Sequence, residues 1–144
     1  MTNFSTLFLR ISMSLVFLLF GVQQLLSPND WIDFLPAWST KLPLSAVQLI
    51  YVNGSVEIVL GTLLLFGIFT RLTALLLALH LASITTEVYI QGLASIAIRD
   101  FGLAAATLSL AFTSDHSLSI DKKYLPFLKK KFPSLGKSEH KESH

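Results

Sequence analysis

Residues 44–67 read LSAVQLIYVNGSVEIVLGTLLLFG and contain a single charged side chain, Glu57. At a rise of 1.5 Å per residue, a helix of this length extends about 36 Å, which exceeds the roughly 30 Å hydrocarbon core of a bilayer. Three other stretches are similarly long and apolar, at residues 7–26, 72–90 and 93–112. The sequence therefore predicts an all-α membrane protein, a bundle of four transmembrane helices.

The composition of the 144 residues agrees with four crossings. Hydrophobic residues make up 52% of the chain and charged residues 14%, whereas about 25% of the residues in a soluble domain are charged. The mean hydropathy of +0.62 argues against intrinsic disorder. Because the chain has no cysteine, disulfides, thiolate metal sites, iron–sulfur ligation and dithiol redox chemistry are excluded for this polypeptide.

The chain divides into a predicted transmembrane domain, residues 1–112, and a predicted basic cytoplasmic tail, residues 113–144. The tail contains seven lysines and four carboxylates. Its run of Lys129, Lys130 and Lys131 follows a membrane helix, so we expect these side chains to bind the anionic lipids of the inner leaflet. Since the adjacent membrane accounts for the basic residues, nucleic-acid binding is not expected.

The distribution of basic residues predicts that both termini are cytoplasmic. With four crossings the termini share one side, and that side then carries nine of the 11 Lys and Arg residues, Arg10 and Arg71 among them. Lys41 and Arg99 lie toward the other face. Cytoplasmic loops of membrane proteins are enriched in such residues. We expect Arg10 and Arg71 to extend their side chains to the inner membrane surface.

A short outer interfacial helix is predicted after the first span, where residues 27–35 read SPNDWIDFL. Ser27 is a residue type that caps helices, Pro28 suits the first helical position, and acidic residues follow in the first turn. Trp31 and Phe34 would face the lipid or cover the bundle. We interpret this helix as an anchoring cap rather than as a ligand gate.

Each predicted helix carries one stripe of polar or small residues, because positions three, four and seven apart share a helix face. Such stripes are what a bundle with a partly polar interior requires. The stripes are Arg10, Ser14, Phe17, Gly21 and Gln24 on the first helix; Asn53, Gly54, Glu57 and Gly61 on the second; Thr73, His80, Ser83 and Glu87 on the third; and Asp100, Ala104 and Thr107 on the fourth.

Ionisable residues inside a bilayer are costly, so a functional role is the default hypothesis for each of them. Glu57 and His80 fall near the membrane midplane. For Glu57, a proton-handling or ligand-contacting role and an interhelical hydrogen bond are equally compatible with the sequence, whereas a packing role is favoured for His80. The candidates for ligand binding or proton handling are Glu57, His80, Asp100, Asn53 and Gln24.

Nearer the predicted outer surface, Glu87 and Arg99 form an expected polar cluster with Asp100. Arg99 and Asp100 are adjacent, so they should point to different faces, with Arg99 reaching the interface or Glu87. No metal-ligand cluster, activated nucleophile, phosphate loop or dinucleotide fingerprint is present in the sequence. A self-contained enzyme is therefore not expected, and neither is a metal site.

The order of several short motifs resembles the DoxX family of small four-helix membrane proteins. These motifs are FGVQQL at residues 20–25, EIVLG at 57–61, GIFTR at 67–71 and RDFGL at 99–103. The resemblance covers residues 7–112, the whole predicted transmembrane domain. It implies a multi-pass protein of a bacterial or archaeal inner membrane, associated with sulfur-oxidising, quinone-linked enzymes or oxidative-stress systems.

The leading hypothesis is an accessory or membrane-anchoring subunit of a quinone-linked redox or oxidative-stress system. Its expected ligand site is a quinone- or lipid-sized pocket lined by Glu57, His80, Asn53 and Asp100. The residues themselves identify no cofactor, and the redox connection, with a redox-enzyme subunit as partner, comes from the resemblance.

Two alternatives belong to other functional classes. One is a small proton-coupled transporter in which Glu57 alternates between a proton and a substrate. Because four helices are few for a complete pathway, this hypothesis expects a homodimer. The other is a structural or assembly protein whose polar stripes fix the helix register and whose basic tail recruits a partner.

Overall fold

A computed structural model of the chain describes residues 2–113, with side chains from residue 4 onward. Residues 114–144, with the predicted lipid-binding Lys129, Lys130 and Lys131, lie outside the described residues. Every regular element of the described part is a helix. The elements are α1 (Thr2–Leu26), a first 3₁₀ helix (Pro28–Phe34), a second 3₁₀ helix (Ala37–Lys41), α2 (Ala46–Phe66), α3 (Thr70–Ile90) and α4 (Ala94–Phe112).

The four long helices confirm the predicted fold class. Each is long and apolar enough to cross a membrane, and the protein is a multi-pass membrane protein. α2 begins two residues later than predicted because the Ser45 hydroxyl accepts a hydrogen bond from the Gln48 backbone, while the Gln48 side chain accepts one from the Ser45 N–H. This reciprocal cap fixes the start of the helix. α2 ends at Phe66 because Gly67 adopts a left-handed conformation, with φ of 68°.

The short helix predicted over residues 27–35 is present as a 3₁₀ helix, Pro28–Phe34, and a second 3₁₀ helix that the sequence analysis did not predict, Ala37–Lys41, follows it. Pro36 separates them, since a proline disfavours helical geometry in the residue before it, and Leu35 is accordingly extended with ψ of 139°. Pro28 occupies the first turn as predicted. Ser27 precedes the first 3₁₀ helix, but its side chain makes no capping hydrogen bond, so the expected cap is wrong.

The helices pack most extensively as two pairs, α1 with α2 and α3 with α4. Glycine permits the first pairing. A Cβ atom added to Gly21 would lie 2.7 Å from the carbonyl oxygen of Gly54, and one added to Gly54 would lie 2.9 Å from the carbonyl oxygen of Gly21. About two helical turns after Gly54 on α2, Gly61 packs against Phe17 and Leu18 of α1. The two backbones are therefore in direct contact, as small residues allow in membrane helices.

A dry core fills one half of the bundle. Its fully buried side chains include Phe17, Leu64, Leu77 and Leu110, which lie toward the end of the bundle that holds the α2–α3 turn. The opposite end holds the two 3₁₀ helices and the α3–α4 turn, and we call it the loop end. The candidate site residues lie near the middle of the bundle or toward the loop end, namely Gln24, Asn53, Glu57, His80 and Asp100. The half that holds this core also buries polar residues of the predicted stripes, namely Arg10, Ser14, Thr73 and Thr107.

The predicted stripes agree with burial on α1 and α4, where every member is buried. On α3 the prediction is partly wrong. Ser83 is exposed, and the buried face of α3 is formed by residues such as Leu77, Leu81 and Val88. Of the four predicted stripe residues of α3, only Thr73 is buried, so the stripe marks the core-facing side only at the start of the helix.

Replacing Gly21 by alanine should destabilise the bundle by about 1–3 kcal/mol, because the new methyl group overlaps the Gly54 carbonyl and the helices must separate. Thermal unfolding in detergent measures this loss. Gly102→Ala is the matched control, since a Cβ atom at this α4 glycine meets nothing within 4 Å. Equal stability of the two variants would contradict the backbone contact.

Candidate functional site

The centre of the candidate site is the carboxylate of Glu57, which is 2% exposed. The Gln24 Nε2 atom on α1 donates a hydrogen bond to Glu57 Oε2 at 2.9 Å. Asn53 Nδ2, one turn before Glu57 on α2, donates to Glu57 Oε1 at 3.2 Å and to Gln24 Oε1 at 2.7 Å. The three side chains form a closed ring of hydrogen bonds between α1 and α2.

The contact of Gly21 with Gly54 creates this ring. Gln24 follows Gly21 by three residues and Glu57 follows Gly54 by three, so the two polar side chains lie one turn away from the backbone contact on the same helix faces. A Cβ atom on Gly54 would lie 3.0 Å from the Cβ atom of Gln24. The close approach of the backbones therefore places short donors within reach of a buried carboxylate.

His80 on α3 joins the ring from a third helix. Its Nε2 atom lies 3.4 Å from Glu57 Oε1. The two side chains differ in exposure, which is 24% for His80 and 3% for Glu57. When the imidazole carries a proton, the contact is an ion pair; when it does not, the ring nitrogen can accept a hydrogen bond from a protonated carboxyl group.

A second polar pair lies on α4. Asp100 is buried, and the Arg99 Nε atom donates to its Oδ1 atom at 2.7 Å. The Arg99 guanidinium also lies over the ring of Phe20, 5.6 Å from its centre, a cation–π arrangement. Arg99 thus reaches the adjacent Asp100 rather than Glu87, because a long, flexible side chain can fold along its own helix to the buried carboxylate.

These groups surround a cavity of about 650 Å³ at the loop end, which we call the first cavity. Its volume falls within the range of about 300–1,000 Å³ that is typical of small-molecule sites. The wall is mainly apolar, with side chains from all four helices and the first 3₁₀ helix. Its polar residues include Gln24, Asn53, Glu57, Arg99 and Asp100.

A second cavity of about 370 Å³ lies beside the first, between α2, α3 and the two 3₁₀ helices. His80, Glu87 and Ser39 line it, together with Trp38. Asn53 lines both cavities. The structure therefore separates the predicted site residues: Glu57 and Asp100 face the first cavity, while His80 and Glu87 face the second.

The first 3₁₀ helix belongs to the site. Trp31 and Phe34 line the first cavity and contact each other with ring centres 5.9 Å apart. Trp31 also packs edge-on against Phe20 of α1 at 6.0 Å. The sequence interpretation gave these residues an anchoring role and missed their place on the cavity wall. The available signal was the alternation of aromatic residues with the exposed Asp30 and Asp33.

The two basic residues expected at the inner surface differ from each other. Arg71 is exposed, and its place at the inner membrane surface stays a prediction. Arg10 is only 6% exposed, so the expectation that it extends to the surface is wrong. The reason is its position on the buried α1 face with Ser14 and Phe17, where the Ser14 hydroxyl donates to the Arg10 carbonyl at 2.7 Å.

Comparison with known families agrees with this architecture. The DoxX family model matches residues 5–90 of the chain, which is more than half of its length. The chain belongs to the DoxX family. Among curated proteins and among solved structures, the searches found no match.

The matched region of this DoxX protein contains α1, α2, α3 and the hydrogen-bonded ring around Glu57 with His80. The Arg99–Asp100 pair on α4 lies beyond the match, although it faces the same cavity. No group of three or more His, Asp or Glu side chains within residues 2–113 is arranged to hold a metal ion. The site brings two buried carboxylates together with amide, imidazole and guanidinium groups.

Replacing Gln24 by leucine should lower the free energy of unfolding by about 1–3 kcal/mol, because Glu57 loses a buried donor. Gln23→Leu is the matched control, since the neighbouring Gln23 is exposed. Chemical denaturation in mixed micelles measures both variants. The loss of unfolding free energy in the double variant Gln24→Leu/Glu57→Leu should be smaller than the sum of the losses in the two single variants. A loss equal to that sum would argue against the hydrogen bond.

Proposed function

We propose that this DoxX-family protein binds a quinone-type ligand in the first cavity. The observation that carries the proposal is the combination of a mainly apolar cavity of about 650 Å³ with two buried carboxylates and a guanidinium on its wall. A quinone needs an apolar space for its ring and tail and a few polar groups for its oxygen atoms. Cavities of this kind bind small apolar molecules in an orientation fixed by a few polar contacts.

The polar groups suit both oxidation states of such a ligand. A quinone carbonyl accepts hydrogen bonds, and the Arg99 guanidinium has N–H groups beyond the one that contacts Asp100. A quinol hydroxyl donates, and the Glu57 carboxylate can accept further hydrogen bonds. Both side chains line the same cavity, which supports one site for the reduced and the oxidised ligand.

The apolar wall supports the choice of an aromatic ligand. Ile50, Leu81 and Val88 line the cavity from α2 and α3, and Trp31 and Phe34 cover it from the first 3₁₀ helix. Aromatic rings pack favourably in offset or edge-on arrangements with other rings. A flat ring held against Trp31, with its oxygen atoms toward α2 and α4, would contact both the apolar and the polar residues of the cavity wall.

The distribution of space in the bundle favours binding over transport. The two cavities described above lie toward the loop end, while Phe17, Leu64, Leu77 and Leu110, nearer the other end, are fully buried. A transport pathway must open to both sides of the membrane in turn, and this packed core would have to separate. A bound ligand at the loop end needs no such rearrangement.

We infer a role as an accessory or membrane-anchoring subunit of a quinone-linked redox or oxidative-stress system. The link to redox chemistry comes from the family resemblance, because some DoxX proteins are found with quinone-linked enzymes, and the cavity supports a quinone within that setting. The partner would be a redox-enzyme subunit that exchanges electrons with the bound ligand. Residues 2–113 provide the ligand site and the membrane anchor in this proposal.

Ligand binding can be tested with the two tryptophans of the chain, because Trp31 lines the first cavity and Trp38 the second. In Trp38→Phe, a short-chain benzoquinone should quench the fluorescence of Trp31 in a saturable way. In Trp31→Phe, quenching of Trp38 should be weaker and should rise linearly, as partition into the micelle predicts. Identical curves for the two variants would count against the site.

Arg99→Gln in the Trp38→Phe background should raise the Kd for the benzoquinone about tenfold, equal to 1.4 kcal/mol. Lys41→Gln is the matched control, since it removes a basic side chain at the loop end that lies outside both cavity walls. Thermal unfolding of each variant accompanies the titrations. An unchanged Kd in a folded Arg99→Gln protein would contradict the proposed contact.

We further propose a bacterial or archaeal inner membrane, with the loop end outside and both termini in the cytoplasm. The excess of basic residues on the terminal side supports this orientation. Because the chain has no cysteine, a single introduced cysteine shows by its labelling on which side of the membrane it lies. An impermeant maleimide should label Thr40→Cys in intact cells, and should label Ser5→Cys only after permeabilisation. Both residues are exposed, and the reverse pattern would refute the orientation.

A further inference from the structure

We propose that Glu57 and His80 form a proton-transfer pair that connects the first cavity with the second. The inference rests on the proposed function in that the first cavity is taken as the ligand site. It adds a route by which an ionisable hydroxyl of the ligand exchanges its proton. The second cavity is then the water-filled port of that route.

The position of the two side chains is the first argument. Glu57 lines the first cavity, and His80 lines the second. The contact of 3.4 Å between Glu57 Oε1 and His80 Nε2 joins the two walls. Glu57 is nearly inaccessible, with 3% of its side chain exposed, whereas 24% of the His80 side chain is exposed. A proton on the buried carboxyl therefore has an accessible neighbour on the side of the second cavity.

The hydrogen-bond donors around Glu57 provide the second argument. Gln24 contacts Oε2 through its NH₂ group, and Asn53 contacts Oε1 through its NH₂ group. Both groups donate and cannot accept a proton from the carboxyl. The Gln24 carbonyl is already bonded to Asn53. Of the three side chains that contact Glu57, His80 is the one whose nitrogen can accept.

The chemistry of the imidazole completes the route. Its ring can take up a proton on one nitrogen and release one from the other. A proton from a ligand hydroxyl passes to the Glu57 carboxylate, then from Oε1 to His80 Nε2, and leaves the imidazolium for water. Glu57 returns to its starting state and the ligand carries one negative charge more. His80 is left with its proton on Nε2, and tautomer exchange through the water of the second cavity returns that proton to Nδ1, so that Nε2 can accept again.

Charged groups line both ends of this route. Glu87 lines the second cavity from the same helix as His80, seven residues away and thus on the same face. In the first cavity the charged groups besides Glu57 are Asp30, Arg99 and Asp100. Asp100 is bonded to Arg99 Nε, and the remaining N–H groups of Arg99 can donate to a deprotonated ligand oxygen.

The wall of the second cavity is mainly apolar, but it carries a few polar groups beside which water can bind. Its volume of about 370 Å³ corresponds to roughly a dozen water molecules at about 30 Å³ each. Ser39, Ser83 and Glu87 on its wall offer polar partners. The wall therefore has both the room and the hydrogen-bonding groups that ordered water requires.

Infrared difference spectroscopy after a pH jump tests the route, with the carboxyl and carboxylate bands of Glu57 assigned by their loss in Glu57→Gln. In His80→Ala the protonation of Glu57 should slow by about a hundredfold, and free imidazole added to the buffer should restore the rate. Ser83→Ala is the control, because Ser83 lines the same cavity and does not exchange protons near neutral pH. Its rate should equal that of the wild type.

The benzoquinone titration of Trp31, repeated in His80→Ala, separates this inference from the proposed function. Unchanged binding with slow, imidazole-restored protonation supports both. Slow, restored protonation in a protein that binds no quinone refutes the ligand and supports the route. A wild-type rate in His80→Ala, or a slow rate that imidazole leaves unchanged, overturns the route, and so does the absence of a Glu57 signal in the wild type.

Discussion

The burial of the Glu57 carboxylate is the constraint on which the loop-end half of the structure depends. A charged or protonated carboxyl inside a membrane must find hydrogen-bonding partners within the protein, because lipid offers none. Gln24 and Asn53 supply these partners by direct hydrogen bonds. The hydrogen bond from α1 is possible because Gly21 and Gly54 let the backbones of the two helices touch. The glycines, the amides and the carboxylate therefore form one unit, and a change in any of them alters the geometry of the others.

The polar unit also accounts for the position of the two cavities toward the loop end. Around Leu64, Leu77 and Leu110 the core consists of apolar side chains and short polar ones, and the hydroxyls of Ser14, Thr73 and Thr107 donate to backbone carbonyls. Near Glu57 and Asp100, a fully packed apolar interior would leave the carboxylates without partners. The first 3₁₀ helix covers this region with aromatic rings, and the two cavities lie beneath it.

Features that depend on local periodicity could be predicted from the sequence. The prediction failed for residues whose surroundings depend on how the helices pack against one another. Four spans followed from apolar length, and the buried face of α1 from the spacing of small and polar residues. The burial of Arg10 conflicted with the general preference of arginine for the membrane surface, which the α1 face overrides. On α3, helical spacing could not distinguish a face toward the core from one toward a second cavity, so exposed Ser83 was grouped with buried Thr73.

The sequence left a structural and a functional role for Glu57 as alternatives, but the geometry makes them compatible. If Glu57 were only a structural acceptor, two neutral donors, one on each carboxylate oxygen, would satisfy it, and Gln24 and Asn53 are such donors. His80 adds a third contact, longer than the other two and from the half-exposed side. Two neutral amides hold the carboxylate in place whichever way its proton moves, while the imidazole gives that proton a path. The same hydrogen bonds that stabilise the buried charge thus pre-organise it for exchange, since the partners that hold it need not move.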